Sequence, residues 1–298
     1  VTLDPDSRPL RFQTLNVEEA FGLAPPGQMD PELAELAAVA LEAGKDAARV
    51  LVDAATGPAQ GIDTKTSNTD MVSDVDRGSE SAISDILQRL RPSDGVLGEE
   101  GTSRPGSSGI RWVVDPLDGT TNFLFGIPQY SVSIAAERDG STLVGVVIDP
   151  SRDETWAAVE GRGARRNGQP CRAAIGRSTL STALVGTGFG YRSERRAWQG
   201  RVAAHVLPRV RDLRRFGSAA LDLCWAAGGR YDAYYEWGLN PWDLAAGALI
   251  ATEAGARVEI MPGRLIVAAV PDIFAPLCDL LEEAGAFEAQ PGPEPTMW

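Results

Sequence analysis

The nine residues "DPLDGTTNF", 115 to 123, follow directly on the apolar run "IRWVV". Two carboxylates, Asp115 and Asp118, stand three positions apart across a proline. Like charges held close raise each other's pKa and oppose folding, so a cation between them would relieve the repulsion. Pro116 biases Asp115 toward extended backbone. Leu117 would then point away, leaving its carbonyl free, and Asp118 would return to the same side. Gly119 lets the backbone approach a ligand closely. Thr120 and Thr121 are good starters for a helix, and helix N-termini receive phosphate. The stretch therefore offers two hard oxygen ligands, a carbonyl and an anion pocket, a set that suits Mg²⁺ completed by a substrate phosphate. The same letters also fit an Asx-type turn capping a helix, and a short motif alone does not decide between the two.

Three further stretches add carboxylates. "VLGEEG" puts Glu99 at another strand end, "TDMVSDVD" places Asp70, Asp74 and Asp76 after the loop residue Lys65, and "NPWDLAAG" places Asp243 at a helix start. In this order and spacing the four stretches resemble the inositol monophosphatase family of Mg²⁺-dependent, lithium-sensitive phosphatases, over roughly residues 30 to 285. The resemblance implies two to three Mg²⁺ per site. It assigns Glu99, Asp115 and the Leu117 carbonyl to a first metal site. Asp115, Asp118 and Asp243 fall to a second, with Glu99 also reaching a water-rich third. Asp76 and Thr120 match the pair that orients and deprotonates the attacking water, and the amides of Gly119 and Thr120 match a phosphate cradle. Arg214 and Gly217, Ser218 and Ala219 match the substrate lining, which Glu99, Leu117, Asp118 and Asp243 also border. Glu236 in "YYEWG" matches the residue holding ring hydroxyls, and Lys65 and Asp70 match a mobile loop. Each residue also has a plainer reading. Asp76 and Asp243 could cap their helices, Arg214 and Arg215 could be surface charges, Glu236 a solvated edge-strand glutamate and Trp242 core.

The elements that must position these residues are legible as patterns. "DPELAELAAVALEAGKDAARVLVDAA" and "DVDRGSESAISDILQRLRP" predict helices, the first with Asp30 as cap and Pro31 in its first turn. "GVLG" and "IRWVVD" predict strands. "YSVSIAAERDGSTLVGVVIDPSRDETWAAVEGRGARRNGQP" predicts an antiparallel meander with "DG" and "NG" turns. "GSAALDLCWAAGG", "PWDLAAGALIATEAG" and "DIFAPLCDLLEEAG" predict helices, alternating with strands at "RYDAYYEW", "ARVEI" and "RLIVAA". The layout is mixed α and β, of α/β (α+β) class, with antiparallel sheet in the first half and β-α alternation in the second. The resemblance implies the layered αβαβα sandwich of the inositol monophosphatase and fructose-1,6-bisphosphatase type. The expected organisation is a loosely docked extension over 1–28, a catalytic domain over 29–288 with halves at about 29–175 and 176–288, and a tail over 289–298.

Composition bounds the function classes. The net charge of −13 argues against a nucleic-acid partner, which needs a basic face. No run approaches the ~20 apolar residues of a membrane span, and the opening residues carry neither a basic start nor an apolar signal core; the expected location is the cytoplasm. Three cysteines with no C-x-x-C pattern argue against a disulfide framework or zinc site. The one histidine, His205, lies in a helical pattern and reads as structural. "CWAAGGR" has the C-x₅-R spacing of a thiolate phosphatase loop. Cys224 sits inside an apolar helix pattern, however, not at the helix N-terminus that would depress a thiol pKa. The expected activity is Mg²⁺-dependent hydrolysis of myo-inositol 1-phosphate, a small phosphorylated polyol, by a homodimer. The alternatives are a broader sugar phosphatase, acting for example on fructose 1,6-bisphosphate or histidinol phosphate, and a catalytically weak regulatory binding protein of the same fold.

Overall fold

A computed structural model describes residues 15–22, 29–55, 62–64, 71–176 and 179–288. Lys65 and Asp70, most of the 1–28 segment and the 289–298 tail lie outside the described residues. The larger of two main sheets has eight strands, and the strand Ile110–Asp118 lies inside it, third from one edge. Alternation along that strand sends Trp112 and Val114 to one face, with Ile134, Val146 and Ile148. Val113 goes to the other face, with Ala135 and Val147. Both faces are covered over Trp112, Val113 and Val114, which is why these three read as an apolar run rather than an alternating one. The helices Pro31–Ala55 and Asp74–Leu90 cover the first face, and their buried residues, such as Leu36, Ala40, Ala47, Leu51, Ile83 and Leu87, recur at helical spacing. Asp30 accepts the Glu32 amide at 2.8 Å, capping the longer helix as expected.

The other face of this sheet packs on the helices Ala219–Ala227 and Pro241–Glu253. These in turn cover a five-stranded sheet ordered Asp212–Arg214, Leu184–Thr187, Ala233–Trp237, Leu265–Ala269 and Arg257–Met261. The helices Ser193–Val206 and Pro271–Glu283 close its far side. The five layers are the αβαβα sandwich. No described helix is long and apolar enough to cross a membrane.

Two differences from the sequence reading matter. The strand Gly95–Gly98 pairs in parallel with Ile110–Asp118, with Gly98 opposite Val114. The first half is therefore not wholly antiparallel, and the C-terminal ends of these two strands emerge side by side. The second difference corrects the loosely docked arm. Within it, Val17–Phe21 is a helix with a reciprocal Asn16–Glu19 capping box, and Ala20 and Phe21 are 1% and 5% exposed, sealed into the first-face core.

Candidate active site

The parallel pairing sets the first two ligand candidates next to each other. Glu99 follows Gly98, and its amide donates to the Val114 carbonyl, at 3.3 Å, one residue before Asp115. Asp115 remains in register with Ser133, but the next pair is Asp118 with Ser131, so the strand bulges over Pro116 and Leu117. Proline cannot donate to a ladder, which makes the bulge the natural place for it. Asp243 arrives from the second half, in the first turn of the helix Pro241–Glu253. That turn is tied down by Ser133 Oγ donating to the Trp242 carbonyl at 3.0 Å. One oxygen each from Glu99, Asp115 and Asp243 lies within 4.8 Å of the others.

The plainer readings are also realised in part. Asp115 Oδ1 accepts the Leu117 amide at 3.0 Å as an Asx turn, and Asp243 Oδ2 accepts the Asn240 amide at 2.7 Å in a capping box. These bonds orient the carboxylates without accounting for their crowding. Burial, then Glu99, Asp118 and Asp243, push the Asp115 carboxyl well above the ordinary aspartate range. Asp243 is raised the same way by burial, then Glu99 and Asp118. Asp118 is raised to about 7, mainly by burial, against two opposing hydrogen bonds to its Oδ2, from Ser218 Oγ at 2.6 Å and the Ala220 amide at 2.8 Å. Hard oxygen donors that raise one another's pKa fit a divalent cation, whose charge inverts the local balance.

The Asp74–Leu90 helix carries the second group. Its first turn buries Asp76, and Thr120 Oγ1 stands 3.0 Å from Asp76 Oδ1 and 3.1 Å from the Leu117 carbonyl. That carbonyl therefore already faces one hydroxyl, with its second lone pair available. Ser79 Oγ donates to the Pro116 carbonyl at 2.8 Å, fastening the helix to the bulge.

Glu236 is partly buried on the strand Ala233–Trp237 and accepts from Tyr234 Oη at 2.5 Å. Burial raises its pKa, against the Tyr234 bond and the Arg215 guanidinium. Arg214 itself pairs with Asp212 at 2.5 Å and donates to the Leu213 carbonyl at 2.8 Å, so Arg215 is the guanidinium that acts on Glu236. Gly217, Ser218 and Ala219 lead into the helix Ala219–Ala227, where Ser218 is the N-cap as well as the donor to Asp118. Cys224 is fully buried within this helix, and burial pushes its thiol well up, the opposite of a nucleophilic cysteine. Sequence reasoning missed Glu80, Ser79 and also Gly188, which packs so closely on Glu236 that a Cβ there would stand 1.8 Å from its Oε2. Glu80 stands one helical turn from Asp76, and that spacing was the available signal.

Comparison with known proteins bears on the family and the fold. Residues 32–286 match the inositol monophosphatase family. The chain is 46% identical over 245 residues to inositol-1-monophosphatase SuhB of Mycobacterium tuberculosis, spanning 77% of this chain and 84% of that protein. It is 42% identical over 208 residues to Nus factor SuhB of Pseudomonas aeruginosa, spanning 65% and 73%. Among solved structures, extragenic suppressor protein suhB from Bartonella henselae superposes with a TM-score of 0.78 at 37% identity, over 82% of this chain and 97% of that one. The chain belongs to the inositol monophosphatase family, a family of metal-dependent phosphatases.

Proposed function

We propose that the protein hydrolyses phosphate monoesters of polyols, with myo-inositol 1-phosphate as substrate and Mg²⁺ as its metal. The observation that carries this reading is the convergence of Glu99, Asp115 and Asp243 within 4.8 Å beside the Asp76–Thr120 hydrogen bond. Glu99, Asp115, the Leu117 carbonyl, Asp118 and Asp243 would hold two to three Mg²⁺ ions. Bound there, the ions would polarise the phosphoryl oxygens and acidify a water. With its one proton given to Asp76 Oδ1 rather than to the Leu117 carbonyl, Thr120 Oγ1 keeps a lone pair that accepts a proton from the attacking water, while Asp76 Oδ1 takes the threonine proton. No histidine is needed. The amides of Gly119 and Thr120 cradle the phosphate. Glu236 accepts hydrogen bonds from ring hydroxyls, with Gly217 to Ala219 alongside, and Arg215 in place of Arg214 balances its charge. A carboxylate in that position repels phosphate and suits neighbouring hydroxyls. The same reading takes the chain as a cytoplasmic, lithium-inhibited homodimer with no nucleic-acid face.

A panel of phosphomonoesters compared by Mg²⁺-dependent kcat/KM tests this. Inositol 1-phosphate should lead fructose 1,6-bisphosphate and histidinol phosphate, and a sugar phosphate in first place would move the assignment to the broader sugar phosphatases. A second reading, a regulatory binding protein, is favoured by one observation, the similarity to proteins named Nus factor SuhB in Pseudomonas aeruginosa and Pasteurella multocida. Mg²⁺ uptake without turnover of any ester in the panel would select it.

A further inference from the structure

Glu80 lies one helical turn beyond Asp76, with its whole residue 4% exposed. Its Oε2 accepts the Glu100 amide at 2.8 Å and its Oε1 the Thr102 amide at 2.9 Å. Both donors belong to the turn that carries Glu99, which the Gly98 amide closes by donating to the Thr102 carbonyl at 2.7 Å. A buried carboxylate accepting two backbone amides makes two charge-assisted bonds, about twice as strong as neutral ones. The neighbouring glycine serves the same contact: a Cβ at Gly98 would stand 2.6 Å from Glu80 Oε2. The helix thus holds three things at once, Asp76 toward Thr120, Ser79 on the Pro116 carbonyl, and Glu80 on the Glu99 turn. Spaced along one helix, these anchors keep the Glu99 strand end and the Asp115 strand end at a fixed separation.

We propose that Glu80 is a positioning residue for the cation site: by fixing the Glu99 turn against Asp115 it sets the affinity of the site for a divalent cation, without touching cation or substrate. The inference rests on the reading of Glu99 as a metal ligand. In Glu80→Gln one acceptor oxygen becomes an NH₂ group facing an N–H donor, so one of the two bonds is lost and the turn loosens. Gly98→Ala reaches the same end by a different route, since the new methyl group displaces the Glu80 carboxylate.

The test is calorimetric titration of the substrate-free full chain with MgCl₂, alongside the Mg²⁺ dependence of activity. Glu80→Gln and Gly98→Ala should each weaken Mg²⁺ binding about tenfold, equivalent to about 1.4 kcal/mol, with kcat recovering at saturating Mg²⁺. The double variant should lose less than the sum of the two, because both act through one contact. Ile83→Val, which trims a fully buried residue of the same helix away from the turn, should leave the affinity unchanged. Wild-type affinity in folded Glu80→Gln, while Glu99→Gln is impaired, overturns this inference alone. Glu99→Gln binding as tightly as wild type overturns the metal reading and this inference with it. If Glu80→Gln does not fold, Gly98→Ala decides, and unchanged Mg²⁺ affinity in that variant refutes the proposal.

Discussion

Chelating the divalent cation should make the stability of this protein fall as pH rises. In the metal-free fold Asp118 titrates at about 7 against an ordinary 3.8, principally because it is buried. The native state then holds a proton that the unfolded chain has already released, so ∂ΔG/∂pH of unfolding is negative between those values. The stability associated with the protonated carboxyl is fully present below about pH 4 and is lost as pH rises through about 7. The span from 3.8 to about 7 corresponds to about 4 kcal/mol. Asp115 and Asp243 are raised in the same direction, but they and Glu99 act on one another, so their contributions are not added. Urea unfolding followed by tryptophan fluorescence, at pH about 5 and about 8 in EDTA and in millimolar MgCl₂, measures this directly. The EDTA series should lose a few kcal/mol across the range. The MgCl₂ series should be flat or rising, because the bound cation holds the carboxylates ionised; at a hundred times its Kd it adds about 2.7 kcal/mol. Asp118→Asn should make the slope in EDTA shallower, leaving the part that the raised Asp115 and Asp243 contribute. Equal stability at both pH values in EDTA, with no gain from Mg²⁺, would refute the reasoning.

Three further outcomes follow from named contacts. Thr120→Ala and Asp76→Asn should each lower kcat by ~10²–10⁴ with little change in KM, read by phosphate release at saturating Mg²⁺. Gly188→Ala places a Cβ 1.8 Å from Glu236 Oε2, so the carboxylate must swing aside. At roughly 1.5–3 kcal/mol for a hydrogen bond to a charged partner, kcat/KM for inositol 1-phosphate should fall about ten- to a hundredfold, with p-nitrophenyl phosphate spared. Phe21→Ala should cost about 3–5 kcal/mol in denaturant unfolding and leave kcat intact, because the side chain is sealed into the core away from the carboxylates.

The strands and helices that mount the site were readable because they are buried on defined faces. "IRWVV" is apolar but for the exposed Arg111 because both faces of its sheet are covered beyond that point, and "GSAALDLCWAAGG" is mostly apolar because its helix lies between two sheets. The carboxylates themselves were legible as motifs. What was not legible is what depends on pairing across a loop. Nothing in "GVLGEEG" states that its strand runs parallel to Ile110–Asp118, yet that pairing is why Glu99 meets Asp115. The helical spacing of Glu80 from Asp76 was legible, but not its partners, which are backbone amides twenty and more residues away. A five-residue helix with two buried residues, Ala20 and Phe21, is too short for periodicity to betray it. Arg215 follows directly on the edge strand Asp212–Arg214, and nothing in the letters "RR" says which of the two guanidiniums acts on Glu236.

The bond from Ser218 to Asp118 joins a residue of the second half to a carboxylate of the first, and Asp243 crosses the same boundary to meet Glu99 and Asp115. On the proposed reading of these carboxylates as cation ligands, neither half owns a complete set. A nascent chain released only as far as the meander would present Glu99, Asp115 and Asp118 with nothing opposite them. On that reading cation uptake would come after the halves have docked, and it would work as a latch on a finished structure rather than a template for an unfinished one. In kinetic terms Mg²⁺ should slow unfolding much more than it speeds folding. Two separately made halves would acquire a common site only at concentrations where they find each other.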